Sequence, residues 1–191
     1  MNIVFATNNP NKIKEVQAQL PEHITLVSLK AIGCHEDIPE TQDTIEGNAI
    51  QKANYIKEQY GLDCFADDTG LEVEALDGAP GVISARYAGP QRNAEDNMTR
   101  LLDELKSKDN RSAQFKTVIA LQFQGKRITF EGICRGEITQ NKIGSGGFGY
   151  DPIFKPTDYK QTFAELSLLE KSRIGHRGKA VSKLVTYLNS L

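Results

Sequence analysis

An α/β fold built on a mixed sheet is predicted by three observations. The chain opens on a buried-strand pattern followed by an amphipathic helix, strand and helix signals then alternate, and two long strand patterns lie side by side in the middle of the chain. The first two observations point to parallel βα units and the third to an antiparallel hairpin, so a purely parallel sheet is not expected.

Each element has a local reason. Residues 2–6 (NIVFA) read as a buried strand, and a helix follows from about Pro10 to Leu20 with Ile13, Val16 and Leu20 on one face and proline at its first position. Residues 24–29 (ITLVSL) form a second strand pattern. The next helix, from about Thr44 to Tyr60, carries Ile45, Ala49, Ala53, Ile56 and Tyr60 at helical spacing and stops at Gly61. LDCFA reads as a strand ending at Asp67 and Asp68, and residues 93–107 as a helix with Met98, Leu101, Leu102 and Leu105 inward. FKTVIALQF and ITFEGICRGEIT follow as two strands joined by a short turn containing Gly125. A last helix, from about Arg177 to Asn189, aligns Val181, Leu184, Val185 and Leu188.

Composition narrows the function class. With 191 residues, 39% hydrophobic and 25% charged, the chain is long enough for a real core and unlike a disordered segment. A formal charge of -2 and a pI near 6.0 offer no global basic field for a nucleic-acid backbone, so any polyanion must be small and held locally. Cys34, Cys64 and Cys134 are widely spaced, without CxxC or Cys/His pairing, which fits a reducing cytoplasm. MNIVFATNNPNK has no basic segment leading into an apolar run, and no eighteen apolar residues run together, so neither secretion nor a membrane span is expected. No fixed-period repeat or Pro/Ser-rich linker marks a boundary, and one domain over residues 1–191 is expected.

Four segments carry chemistry. Thr7-Asn8-Asn9-Pro10-Asn11-Lys12 lies between strand and helix, where backbone N–H groups and the helix dipole favour an anion; the alternative is an asparagine-rich helix cap, and the glycines of a Walker loop are missing. Asp67-Asp68-Thr69-Gly70 follows an apolar strand, and paired acids there can hold Mg²⁺ and orient water. A plain turn is the other reading of that segment, while an aspartic protease would need an all-β context that is missing. Glu40, in the IPETQDT loop, reads on spacing alone as a solvated charge. In the segment 144–152 (GSGGFGYDP) four glycines surround Phe148 and Tyr150 and lead to Asp151, combining close backbone approach with a stacking face for a base. Finally, Lys171 and Gly175-His176-Arg177-Gly178-Lys179 gather donors at the start of the last helix, where they suit an anionic or carbonyl-bearing ligand or form a solvated helix end.

Taken in order, ATNNPNKIKE, ADDTGLEVEALDGAPGVISARYAG, GGFGYDPIF and EKSRIGHRGKA resemble the Ham1-like, or inosine triphosphate pyrophosphatase, family nearly end to end. The resemblance implies an elongated α/β molecule of two lobes around a long mixed sheet, an active-site cleft between the lobes, and commonly a homodimer. It implies that Thr7, Asn9 and Lys12, with Asn8 and Asn11 in the same loop and Lys52 on the second long helix, cradle a triphosphate. By the same resemblance Asp68, beside Thr69, supplies metal and general-base function and Glu40 is a further magnesium ligand. Phe148, Gly149, Tyr150, Asp151, Lys171, His176 and Arg177 surround the base. Two departures stand out: the family often has Ser where this chain has Thr69, and usually Ser where it has Gly175.

The activity so implied is hydrolysis of non-standard purine nucleoside triphosphates (ITP, dITP, XTP) to the monophosphate and pyrophosphate, with Mg²⁺ as cofactor. A Maf-type pyrophosphatase would not explain the FGYD and His-Arg segments. A nucleotide sensor without turnover would need no base such as Asp68, and an RNA-binding protein conflicts with the pI.

Overall fold

The computed structural model describes all 191 residues. Twelve main elements follow in order: β1 (Asn2–Phe5), α1 (Pro10–Gln17), β2 (Thr25–Val27), α2 (Ile45–Tyr60), β3 (Cys64–Val73), β4 (Pro80–Gly81), α3 (Ala94–Glu104), β5 (Ser112–Phe123), β6 (Lys126–Ile138), β7 (Phe154–Pro156), α4 (Leu168–Ile174) and α5 (His176–Asn189). The sheet is mixed, in the order β2-β1-β3-β5-β6-β7 with β4 against β3. β1 is parallel to β2, pairing Asn2 with Thr25, and to β3, pairing Val4 with Cys64. β7 is antiparallel to β6. The turn between β5 and β6 is Gln124-Gly125 with φ of 48° and 76°, the positive pair that a two-residue hairpin demands.

Two compact units make up the chain. The first comprises Met1–Asp68, Thr117–Gly132 and His176–Leu191; the second comprises Thr69–Lys116 and Ile133–Gly175. Each has its own core. In the first, Ile3, Phe5, Phe65, Ile119 and Leu121 pack with Val16 of α1 and Val181, Leu184 and Leu188 of α5, and the rings of Phe5 and Phe65 stack with centroids 4.5 Å apart. In the second, Met98 and Leu101 of α3 and Leu105, which caps it, pack with Leu71, Val73, Phe115, Phe154 and Phe163.

Helix signals located their elements, and the differences are local. α1 ends at Gln17 rather than Leu20, and α5 begins at His176. Thr44 is the cap of α2, its hydroxyl accepting from the Gly47 amide, and Gly61 ends that helix in the left-handed region. The larger difference concerns the acidic segment. β3 does not end at Asp67 and Asp68 but continues through Thr69 and Gly70 to Val73, so these acids stand within a strand and not in a turn. Successive strand residues face opposite ways, hence the two neighbouring carboxylates depart to different partners. The short helix α4, which carries Lys171, escaped the periodicity reading. Its signal was Ser167 three residues before Glu170, and the Ser167 hydroxyl does accept from the Glu170 amide at 3.1 Å.

Candidate active site

The first unit gathers seven charged side chains. Asp67, fully buried, accepts from Lys12 Nζ at 2.9 Å and from Arg177 Nε at 3.2 Å; Arg177 Nη1 also donates to Glu15. On the other side of the strand, Asp68 accepts from Asn48 Nδ2 at 3.3 Å and lies 3.8 Å from Lys52 Nζ, which itself donates to Glu40. Asn48 and Lys52 are four residues apart on α2 and therefore share a face. Both are buried among Ala49, Ala53 and Ile56. Polar residues at core spacing were the available clue to Asn48, which the motif reading passed over. Glu40, which looks like a surface charge by spacing, is half-buried against Lys52.

Neighbouring acids are driven in opposite directions. Burial alone would raise the Asp67 carboxyl, but Lys12, Arg177 and Lys52 outweigh it and hold the group well below the ordinary carboxylate value. For Asp68 burial prevails and raises the carboxyl, opposed by Lys52 and Lys12 and reinforced by Glu40 and Asp67. The lysines divide in the same way. Burial lowers Lys12 despite Asp67, whereas Lys52 is raised because Asp68, Glu40 and Asp67 overcome its burial. Ion pairing thus dominates at Asp67 and burial at Asp68, and the two neighbouring acids are pushed apart.

The loop before α1 is a cap in fact. Asn9 Oδ1 accepts from the Asn11 and Lys12 amides at 3.0 and 3.3 Å, and Thr7 Oγ1 accepts from the Asn9 amide at 3.2 Å. An anion drawn to this loop therefore meets amides already engaged, with Thr7 and Lys12 half-buried and Asn8 and Asn11 exposed beside them.

A metal site can be tested on this donor set. No group of three or more His, Cys, Asp or Glu side chains is placed to hold an ion on its own. The contact ion pairs of the adjacent acids go to different cations, Asp67 to Lys12 and Arg177 and Asp68 to Lys52, so Asp67 and Asp68 do not share a cation at contact distance. Asp68 and Glu40 do, since both approach the Lys52 ammonium. Mg²⁺ is commonly bound through one or two carboxylates together with substrate phosphates, and two hard oxygen donors facing one positive charge fit that requirement. Three cations among four carboxylates also leave the group short of positive charge for a polyphosphate, which a divalent ion would supply.

The second unit holds a smaller group. Lys171 Nζ donates to Asp151 Oδ2 at 2.6 Å, both side chains being almost wholly buried, and lies 4.7 Å from the centroid of the half-buried Phe148 ring. The same Asp151 oxygen accepts from the Phe148 amide at 2.8 Å. Gly147 makes this possible: its φ is 69°, and a Cβ there would stand 2.0 Å from Asp151 Oδ2. Tyr150 turns into the core, where its hydroxyl donates to the Ser84 carbonyl at 2.8 Å and burial raises its pKa. Gly149 joins these two aromatics, with φ of 64°. At Gly175, where the resemblance expects serine, the amide closes α4 on the Lys171 carbonyl at 2.8 Å and a Cβ would come within 2.5 Å of that oxygen. Thr69 is half-buried and His176 buried.

The match to known proteins covers the whole of this framework. The Ham1 family model matches residues 3–187. The chain belongs to the Ham1 family. A relative named dITP/XTP pyrophosphatase from Flavobacterium johnsoniae is 63% identical over 190 residues, covering 100% of this chain and 99% of its own. Another of that name from Porphyromonas gingivalis is 51% identical, covering 97% of this chain and 96% of its own. Among solved structures, the HAM1 protein from Coxiella burnetii superposes with a TM-score of 0.92 at 38% identity and the Staphylococcus aureus Ham1 protein with 0.91 at 38%. The former covers 100% of both chains; the latter covers 100% of this chain and 99% of its own. Family members share the mixed α/β sheet that the strand and helix signals predict.

Proposed function

We propose that the protein is a nucleoside triphosphate pyrophosphatase that hydrolyses ITP, dITP and XTP to the monophosphate and pyrophosphate. The observation that carries this reading is the pair of carboxylates, Asp68 and Glu40, set against the buried ammonium of Lys52, with the Asp67-Lys12 pair beside them. The names of its relatives support the same substrate class.

Each residue then has a chemical task. Lys12 and Lys52, with the Thr7, Asn8, Asn9 and Asn11 loop, meet the phosphates, since an ammonium hydrogen bond to phosphate is charge-assisted. Asp68 and Glu40 would hold Mg²⁺, which when bound offsets the triphosphate charge and polarises the scissile anhydride. Asp68, beside the ion it would help to hold, removes a proton from the attacking water, while its neighbour Asp67 stays in its ion pairs with Lys12 and Arg177. Oxygen from water joins the α-phosphorus, the α–β anhydride bond breaks, and pyrophosphate leaves with the lysines compensating its charge.

Base choice follows from the polarity of the second group. A 6-oxopurine presents an acceptor at O6 beside a donor at N1–H, which an ammonium and a carboxylate next to an aromatic face match. Adenine presents the reverse, a donor at N6 and an acceptor at N1, so it leaves both protein groups unsatisfied at about 1 to 3 kcal/mol each. Lys171, Asp151 and Phe148 supply that set, with His176 as a further donor toward the base; the Arg177 guanidinium, which the resemblance also assigns to the base, is instead engaged by Asp67 and Glu15. A cytoplasmic homodimer is part of the same proposal.

Pyrophosphate release from ITP, dITP, XTP, GTP and ATP, measured with Mg²⁺ and after its removal by chelation, tests the reading. Expected is an ITP-to-ATP ratio in kcat/KM of about 10² or more and loss of turnover without the ion. Equal rates on ATP and ITP, or release of orthophosphate in place of pyrophosphate, would overturn it.

A further inference from the structure

Glu15 is a carboxylate in the wrong place for a core. It lies on α1 next to Val16, and the two are the buried residues of that helix. A buried ion pair seldom stabilises a fold more than apolar packing of the same volume, because desolvating the charges offsets their attraction. Stability alone therefore gives little reason for a glutamate at this position, and its partners suggest another.

Those partners form an alternating series. Glu15 accepts from Arg177 Nη1, Arg177 Nε donates to Asp67 Oδ2 at 3.2 Å, and Lys12 Nζ donates to Asp67 Oδ1 at 2.9 Å and to the Asp67 carbonyl at 3.4 Å. The series begins and ends on α1, three residues apart, and passes through α5 and β3 on the way. Lysine and glutamate at that spacing on a helix are close enough to pair directly. Here each is instead joined to a different element, so the helix is held at two points on one flank and the lysine is aimed at the strand that carries Asp68.

We propose that Glu15 is a positioning residue for the reaction, holding Lys12 toward the triphosphate through Arg177 and Asp67. This rests on the reading of Lys12 as a phosphate ligand. Without the Glu15 charge, Arg177 has Asp67 as its carboxylate partner in the series and draws it away from Lys12. The lysine then loses its anchor on β3. The consequence falls on binding of the phosphates and not on the proton transfer assigned to Asp68.

A double-mutant cycle on the full chain with ITP reads this directly. Glu15→Gln keeps the size and an accepting oxygen but removes the charge, and it is expected to raise KM about tenfold while kcat stays within about twofold. In a Lys12→Met background the same change is expected to move KM by less than about twofold, because the anchored group is gone. A purely structural role would instead lower the active fraction, reducing apparent kcat with KM unchanged, and that result overturns the proposal. Full additivity of the two substitutions overturns it as well while leaving Lys12 as a phosphate ligand. If Lys12→Met itself leaves KM unchanged, the phosphate-ligand reading fails and the proposal falls with it. Should Glu15→Gln not fold, Glu15→Asp keeps the charge and shifts the guanidinium by one methylene. Its expected effect is a KM rise of about threefold that also disappears in the Lys12→Met background, and persistence of the rise there overturns the proposal.

Discussion

The polar groups of the two units differ in kind. The first unit assembles Lys12, Lys52 and Arg177 with Glu15, Glu40, Asp67 and Asp68, a network in which several charges have two partners. The second buries one pair, Lys171 with Asp151, against the ring of Phe148, its other ion pairs being more exposed. A network of several paired charges suits a ligand end that carries several charges and changes them during reaction. One fixed donor beside one fixed acceptor on an aromatic face suits a neutral, planar end that is read and left unaltered. The difference teaches that charge density and hydrogen-bond polarity are separate recognition devices, and that each can be damaged without the other.

The largest expected effect tests the chemical side of that division. Asp68→Asn keeps the shape of the group accepting from Asn48 but removes the base, and should lower kcat on ITP by roughly 10²-fold or more with KM within about tenfold. The ITP-to-ATP ratio should stay where it was. If turnover survives, Asp68 is not the proton acceptor; if the ratio collapses, the two groups are not independent.

Lys171→Met sharpens the other side. It leaves Asp151 buried without its cation, which costs about 3 to 5 kcal/mol of stability when one partner of a buried pair is removed. On the fraction that remains folded, the ITP-to-ATP ratio should fall by about 10-fold or more, with kcat on ITP less affected than in Asp68→Asn. Thermal denaturation and steady-state kinetics on the same preparation separate the two effects. A ratio equal to that of the unaltered protein would remove Lys171 from base recognition.

A smaller effect is expected from introducing the serine that the resemblance leads one to expect at position 175. Gly175→Ser places a Cβ against the Lys171 carbonyl, where only 2.5 Å is available, so the last turn of α4 must move. Forcing an atom into occupied space costs about 1 to 3 kcal/mol, read as a lower Tm, and the ITP-to-ATP ratio should change by a few-fold, about 2 to 5. Should both stay constant, the end of α4 does not hold Lys171 in place, and the second group would be less rigid than its hydrogen bonds suggest.

Much of this framework was legible before any coordinates. The helices other than α4 and the β5-β6 hairpin declare themselves through periodicity, a threonine cap, a glycine stop and a two-residue turn, all of which act within a few neighbouring residues. The acidic segment was misread as the end of a strand because Asp and Gly are usual turn residues, and nothing local reveals that its acids find cations to face. Asn48 was overlooked for a related reason. On a helix of ordinary composition, one buried asparagine looks like any polar position until Asp68 is placed opposite it.

What the sequence determined by itself was therefore the family and the longer elements, whereas β4, β7 and α4 are too short for a periodic signal. Which charge meets which was decided only by the tertiary structure. Arg177 reaches Asp67 across 110 residues of chain and Glu15 across 162, separations at which no local pattern carries information. Ion pairing depends on distance in space and on exclusion of water, and both arise only once α1, α5 and β3 have packed; the opposite shifts of the adjacent Asp67 and Asp68 are the direct result.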